Sequence, residues 1–150
     1  SLNAIQTEPD GVYPYGIADA FVTTSEGAKW AVFGHTPWNA NISLDKRNLL
    51  LLACDHISGR RLPAILETGI PALLFPRENT DGRVTSVSVV NFTAGESGEL
   101  KLRIRRPLSE KFLYMSADRE CRPEFSRDGS DYILTLKSLP AFGQGTVFVK

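Results

Sequence analysis

At 150 residues and 16.5 kDa the chain has the size of one ordinary domain or two very small ones, long enough to bury a core. Its 42% apolar and 23% charged residues exclude a disordered or membrane-embedded chain. Seventeen basic residues balance seventeen acidic ones, and the segments on either side of Thr80 are each nearly neutral, so no overall field recruits nucleic acid or an anionic membrane.

Residues 3–16 read as an irregular lead-in, because Pro9, Asp10, Gly11, Pro14 and Gly16 crowd together. Ile17 to Thr24 and Lys29 to Gly34 are apolar runs joined by Ser25-Glu26-Gly27-Ala28, which predicts a β-hairpin with Trp30 in the core. Pro37 then ends the second run inside the loop His35-Thr36-Pro37-Trp38-Asn39. One helix follows, with Ser43 as N-cap, Asp45 at the positive end of the dipole and Gly59 closing the C-terminus. Its centre, Leu49 to Cys54, is apolar on nearly every face, which predicts a helix packed on several sides with Cys54 buried.

After Pro63 short β-rich runs take over. Ala72 to Phe75 and Thr85 to Phe92 flank Thr80-Asp81-Gly82, a hairpin turn signal. Glu99 to Arg105 and Asp131 to Lys137 alternate, and Phe112 to Met115, Arg122 to Phe125 and Gly145 to Val149 add further runs. The fold class expected is mainly β, α+β overall: an antiparallel β-sandwich of about six or seven short strands, preceded by a β-hairpin and one buried helix. The division falls at 1–62 and 63–150.

Chemistry is harder to find. On a helix, Cys54, Asp55 and His56 point about 100° apart, so they cannot form a nucleophile–base array by themselves. His35, Cys54, His56 and Cys121 lack the paired spacing of zinc ligands, and no metal or other cofactor is expected. Lys101, Arg103 and Arg105 alternate with Leu100, Leu102 and Ile104, which predicts a solvated outer strand face without the aromatic residues that nucleic acid would stack on. Asp19, Glu26, Glu67 and Glu78 are carboxylates of the right type for glycoside hydrolysis, with nothing placing two across a cleft. The aromatic residues Trp30, Trp38, Tyr13, Tyr15 and Tyr114 could stack on sugar rings, and the loop position favours Trp38. The candidate ligand-binding residues are therefore Trp38, His35 and Tyr15; no catalytic residue is assigned. Asn41-Ile42-Ser43 and Asn91-Phe92-Thr93 match the N-glycosylation acceptor pattern, although local capping explains Asn91 equally well.

Two blocks recur in a familiar order. The first is Trp30-Ala31-Val32-Phe33-Gly34, the Pro-Trp loop, the Leu-rich helix and Ser58-Gly59-Arg60-Arg61-Leu62-Pro63-Ala64. The second is Val89-Val90-Asn91-Phe92-Thr93, short β runs, and Leu139-Pro140-Ala141-Phe142-Gly143-Gln144-Gly145-Thr146-Val147-Phe148-Val149. Together, over residues 17–150, they resemble the C-terminal portion of large bacterial glycoside-hydrolase-like proteins of the family 42 β-galactosidase kind. Such proteins join a (β/α)8 barrel, an amidotransferase-like module and a small β-sandwich. The resemblance implies that 1–62 ends the amidotransferase-like module and that 63–150 is the sandwich. It implies a non-catalytic piece of a glycoside hydrolase, because the family's catalytic carboxylates belong to the barrel.

The leading expectation is thus an accessory or scaffolding region whose partners are the upstream catalytic domains of its own polypeptide, and also a second copy of itself or carbohydrate. An apolar patch left open near the hairpin would fit a face severed from a neighbouring domain. Nucleic acid and membrane are not expected partners, and the resemblance favours a periplasmic or extracellular location. Ser1-Leu2, with no initiator Met, reads as a cloning remnant, which leaves the absence of a signal peptide silent about the compartment. The alternatives are a free-standing carbohydrate-binding module and a small hydrolase using His35 or His56 with a carboxylate.

Overall fold

The structure, a computed structural model, describes residues 2–8, 11–34 and 44–150, with side chains at 19–34 and from 47 onward. The chain forms two compact units, Ser1–Arg61 and Leu62–Lys150.

The first unit is a three-stranded antiparallel sheet, β1 (Leu2–Glu8), β2 (Gly11–Thr23) and β3 (Lys29–Phe33), with helix α1 (Leu44–Ile57). The lead-in expected to be irregular is therefore a strand pair, and the hairpin is two strands of a larger sheet. The breakers are absorbed by shifts of register: Ala4 pairs with Gly16 and Ile5 with Pro14, so Tyr15 is the extra residue of a β-bulge. A bulge is one of the few places where a strand accommodates proline. The β2–β3 turn matches its sequence signal. The Thr24 amide donates to the Ala28 carbonyl at 2.8 Å, and Gly27 supplies a φ of 86°.

Cross-strand pairs divide this sheet into two faces. Val22 opposes Trp30 and Ala20 opposes Val32, so these four share one face. Trp30 is 60% exposed, and Val22 and Val32 are also open, which corrects the expectation that Trp30 lies in the core. The opposite face carries Phe21, whose ring stacks on His56 of α1 at 5.5 Å. The His56 Nε2–H donates to the Val22 carbonyl at 3.1 Å.

Helix α1 ends as its glycine predicts. The Gly59 amide donates to the His56 carbonyl and the Arg60 amide to the Asp55 carbonyl, a Schellman closure with Gly59 at φ 67°. Ser43, the expected N-cap, lies outside the described residues. The helix is not packed on all sides: Ala53 is buried, but Leu52 is 58% exposed and Ile57 and Cys54 are open. An all-round apolar run meets a single sheet face here, and one face can cover only one side of a helix.

The second unit is an antiparallel sandwich. One sheet holds β4 (Ala64–Leu66), β7 (Leu100–Ile104), β10 (Glu124–Asp128) and β11 (Asp131–Leu136), in the order β10-β11-β7-β4. The other holds β5 (Ala72–Glu78), β6 (Val84–Asn91), β8 (Phe112–Ser116), β9 (Arg119–Cys121) and β12 (Gln144–Val149), in the order β5-β6-β12-β8-β9. The strands number nine rather than six or seven, because β4 and β9 are each three residues long and too short to alternate visibly. Leu100, Leu102, Ile104, Leu134 and Leu136 of the first sheet meet Val87, Val89, Tyr114 and Val147 of the second in one core. The β5–β6 hairpin turns at Thr80-Asp81-Gly82, where the Asn79 side-chain oxygen accepts the Asp81 and Arg83 amides.

Three features hold the sandwich in register. Asn91, fully buried, donates through Nδ2 to the Gly95 and Pro140 carbonyls at 2.8 Å each. Its Oδ1 accepts from the Thr93 amide and hydroxyl at 3.0 and 2.8 Å. That amide nitrogen is the atom a glycan would need, so the local hydrogen-bonding explanation of the Asn91-Phe92-Thr93 pattern describes the folded chain. Gly145 of β12 lies directly over the Tyr114 ring, with no room for a Cβ.

The third feature corrects the solvated basic face. Lys101 is exposed, but Arg103 pairs with Glu67 at 2.7 Å, Asp128 at 2.9 Å and Asp131 at 3.2 Å. Arg105 is buried and donates from Nε to Asp131 at 3.1 Å. Burial opposes the charge on Arg103, yet its hydrogen bonds to Asp128, Glu67 and Asp131 outweigh it and raise its pKa. The acids come from the end of β4 and from the β10–β11 hairpin, neighbours that a strand's own alternation cannot announce.

Candidate functional site

Two of the three candidate ligand residues, His35 and Trp38, fall outside the described residues. Tyr15 sits at the β2 bulge, and its side chain, like that of Tyr13, also lies outside them. Tyr114 is fully buried beneath Gly145 and is a core residue, unable to stack on a ligand.

The helical trio does not assemble. Cys54 is exposed, Asp55 is 4.0 Å from Arg60, and His56 is committed to Phe21 and to the Val22 carbonyl. A carbonyl can only accept, so Nε2 carries the His56 proton. Of the four candidate carboxylates, Glu67 pairs with Arg103 and Glu78 with Arg106, while Asp19 is buried in β2 and Glu26 sits in the β2–β3 turn. Among the described residues no three His, Cys, Asp or Glu side chains form a group that could hold a metal ion. No helix there is long and apolar enough to cross a membrane.

A different region of the second unit has the shape of a site. A cleft of about 660 Å³ opens where the chain leaves β9, at the edge of one sheet, and enters β10, at the edge of the other. Its floor is Phe112 and Phe125, its walls include Arg122 and Pro123 of the crossover, and Lys111 and Lys150 stand at the ends of β8 and β12. Glu110 and Glu120 supply the acids. Phe125 is 45% exposed, and its ring is braced edge-on by Phe112 at 5.3 Å and by Tyr132 at 5.8 Å.

Behind this wall lies a charged clasp. The Tyr132 hydroxyl donates to Glu110 Oε1 at 2.8 Å, Arg127 Nη2 donates to the same oxygen, and the Arg127 guanidinium lies 5.1 Å over the Tyr132 ring. These bonds, the tyrosine's first and the arginine's second, hold the Glu110 carboxyl below the usual carboxylate range.

The alpha-L-fucosidase isoenzyme 2 from Paenibacillus thiaminolyticus has a similar structure: 92% of this chain superposes on it with a TM-score of 0.53 at 12% identity. The fold is thus one found in part of a glycoside hydrolase. The superposed part is only 23% of the fucosidase chain. At that identity the likeness is one of fold alone. No family model and no curated protein matches the sequence.

Within this fold the cleft residues had little sequence signal. Lys111, Phe125 and Lys150 are far apart in the chain and meet only through the pairing of β8 with β12 and the crossing to β10. Arg122 to Phe125 read as a β run, so the place of Arg122-Pro123 in the loop between β9 and β10 was not visible in the sequence.

The clasp makes a pH prediction. A depressed folded-state pKa contributes stability above the unfolded value, about 4.3 for glutamate, and that contribution disappears as pH falls through the folded value. Glu110→Gln should therefore melt below the wild type at neutral pH and approach it as the pH falls below about 4. Melting curves across a pH series check this, and parallel curves for the two proteins would refute it.

Proposed function

We propose that this chain is a non-catalytic, C-terminal accessory region of a carbohydrate-active enzyme. On this reading 1–62 closes an amidotransferase-like module of the family 42 β-galactosidase kind, and 63–150 is the enzyme's terminal sandwich. Its partners are the catalytic domains upstream in the same polypeptide. The observation that carries the reading is the recurrence of this fold as a minor part of a fucosidase chain. The open apolar face of Val22, Trp30 and Val32 supports it, since an exposed patch of this kind is costly unless something covers it.

The test is the reading frame upstream of Asn3. A (β/α)8 barrel with a pair of carboxylates is expected there, and that upstream region, expressed separately, should capture this chain. Trp30→Asp should abolish the capture. An upstream frame without a catalytic domain, or capture indifferent to Trp30→Asp, would overturn the reading.

A further inference from the structure

The cleft at the β9–β10 crossover holds charges that packing does not explain. Val149 pairs with Phe112, and the next residue along, Lys150, donates its amide to the Lys111 carbonyl at 2.9 Å. Lys111 and Lys150 therefore stand opposite one another on the same face of the sheet. Like charges at directly opposed positions repel and weaken a sheet. Among the described residues neither ammonium group has an acidic partner, and neither does Arg122. Glu110, the nearest acid in sequence, is already neutralised by Arg127. With Glu120 the remaining acid, the cleft keeps a surplus of positive charge.

Beside that surplus lies Phe125, half-open and fixed by Phe112 and Tyr132 before any ligand arrives. A platform already ordered spares the cost of ordering it on binding. An aromatic ring next to unpaired cations suits a ligand with an apolar ring face and an anionic substituent. We propose that the cleft binds an anionic saccharide, one sugar ring lying on Phe125 and its acid group meeting Lys111, Lys150 and Arg122. The saccharide part rests on the accessory-region reading above; the anion and the ring face rest on the cleft alone.

Titration calorimetry on the full chain tests it, with four probes: tetragalacturonate, its neutral methyl ester, a sulfated galactan tetrasaccharide and inorganic sulfate. Heat is expected from one or both acidic oligosaccharides, the tighter of the two identifying carboxylate or sulfate as the acid, and none from the methyl ester. Lys111→Ala and Arg122→Ala should each weaken binding about tenfold, the worth of one charge-assisted hydrogen bond. Phe125→Ala should weaken it by a similar factor. Lys111→Ala should also melt no lower than the wild type, because it removes a repulsion. Four results would overturn the proposal: no heat from either acidic oligosaccharide, equal affinity for the methyl ester, sulfate alone binding as tightly, or affinity unchanged in Lys111→Ala and Arg122→Ala. A silent cleft in a chain that follows a glycosidase barrel would remove this site and leave the accessory role standing. Saccharide binding by a chain with no catalytic domain upstream would do the reverse.

Discussion

Replacing Asn91 with alanine should lower the melting temperature of the sandwich by about 15 °C or more, on the scale of 4–8 °C per kcal/mol for a unit of this size. The side chain is fully buried, and it is the common partner of Gly95, Pro140 and Thr93. Its removal leaves the Thr93 amide without a partner and takes a donor from the Gly95 and Pro140 carbonyls, which keep only the Thr93 hydroxyl and the Gly143 amide, and with the emptied volume this costs about 3 kcal/mol. Asn91→Asp separates hydrogen bonding from shape. Aspartate fits the same space and still accepts from Thr93, but it turns a carboxylate oxygen toward the Gly95 and Pro140 carbonyls in place of two donated bonds. It should be at least as damaging as alanine at neutral pH. Calorimetric melting of both variants is the measurement; a harmless Asn91→Asp would mean that the site needs only volume.

The second large effect is expected at Gly145. A Cβ there would lie 2.5 Å from the Tyr114 hydroxyl oxygen and 2.6 Å from Cε2, well inside contact distance. Tyr114 is fully buried and has nowhere to move. Gly145→Ala should cost about 3 kcal/mol, at the upper end of overpacking, and Gly145→Val more. Shortening the facing ring should return part of this loss. The double variant Gly145→Ala/Tyr114→Leu should be more stable than the sum of its two single changes by about 1 kcal/mol or more, a coupling within the range for residues in contact. Denaturant unfolding of the four proteins measures it, and strict additivity would show that the backbone, and not Tyr114, sets the demand for glycine.

Much of the sandwich was legible because its strands carry their own evidence. Leu100, Leu102 and Ile104 alternate with charged residues, and the structure buries those three and turns Lys101 outward. Thr80-Asp81-Gly82 and Gly59 named their turn and helix end by backbone chemistry that few other residues supply. What was not legible depended on partners. Trp30 is an apolar residue inside a strand, the usual mark of a core position, yet it stands 60% exposed. Arg103 and Arg105 read as a wet face until Glu67, Asp128 and Asp131 arrive from other strands. The pairing of β1 with the first half of β2 was hidden because Pro14 and Gly16 of β2 are breakers in a regular strand and acceptable residues at a bulge. The cleft was hidden for the same reason as the arginine network. Its residues become neighbours only through strand order, and strand order is not a local property of sequence.

The place of β12 has a consequence for how the chain is made. It follows every other strand of the sandwich in sequence, yet it sits in the middle of its sheet, hydrogen-bonded to β6 on one side and β8 on the other. Synthesis proceeds from the N-terminus at about 5–20 residues per second. Until Gln144–Val149 emerges from the ribosome, β6 and β8 therefore each present an open edge, the surface most prone to pair with a stranger. The sandwich cannot assemble strand by strand as it is translated. Its five-stranded sheet is complete only once the last strand is in place, and a stalled or clipped product lacking those six residues keeps both edges open to pairing with another chain.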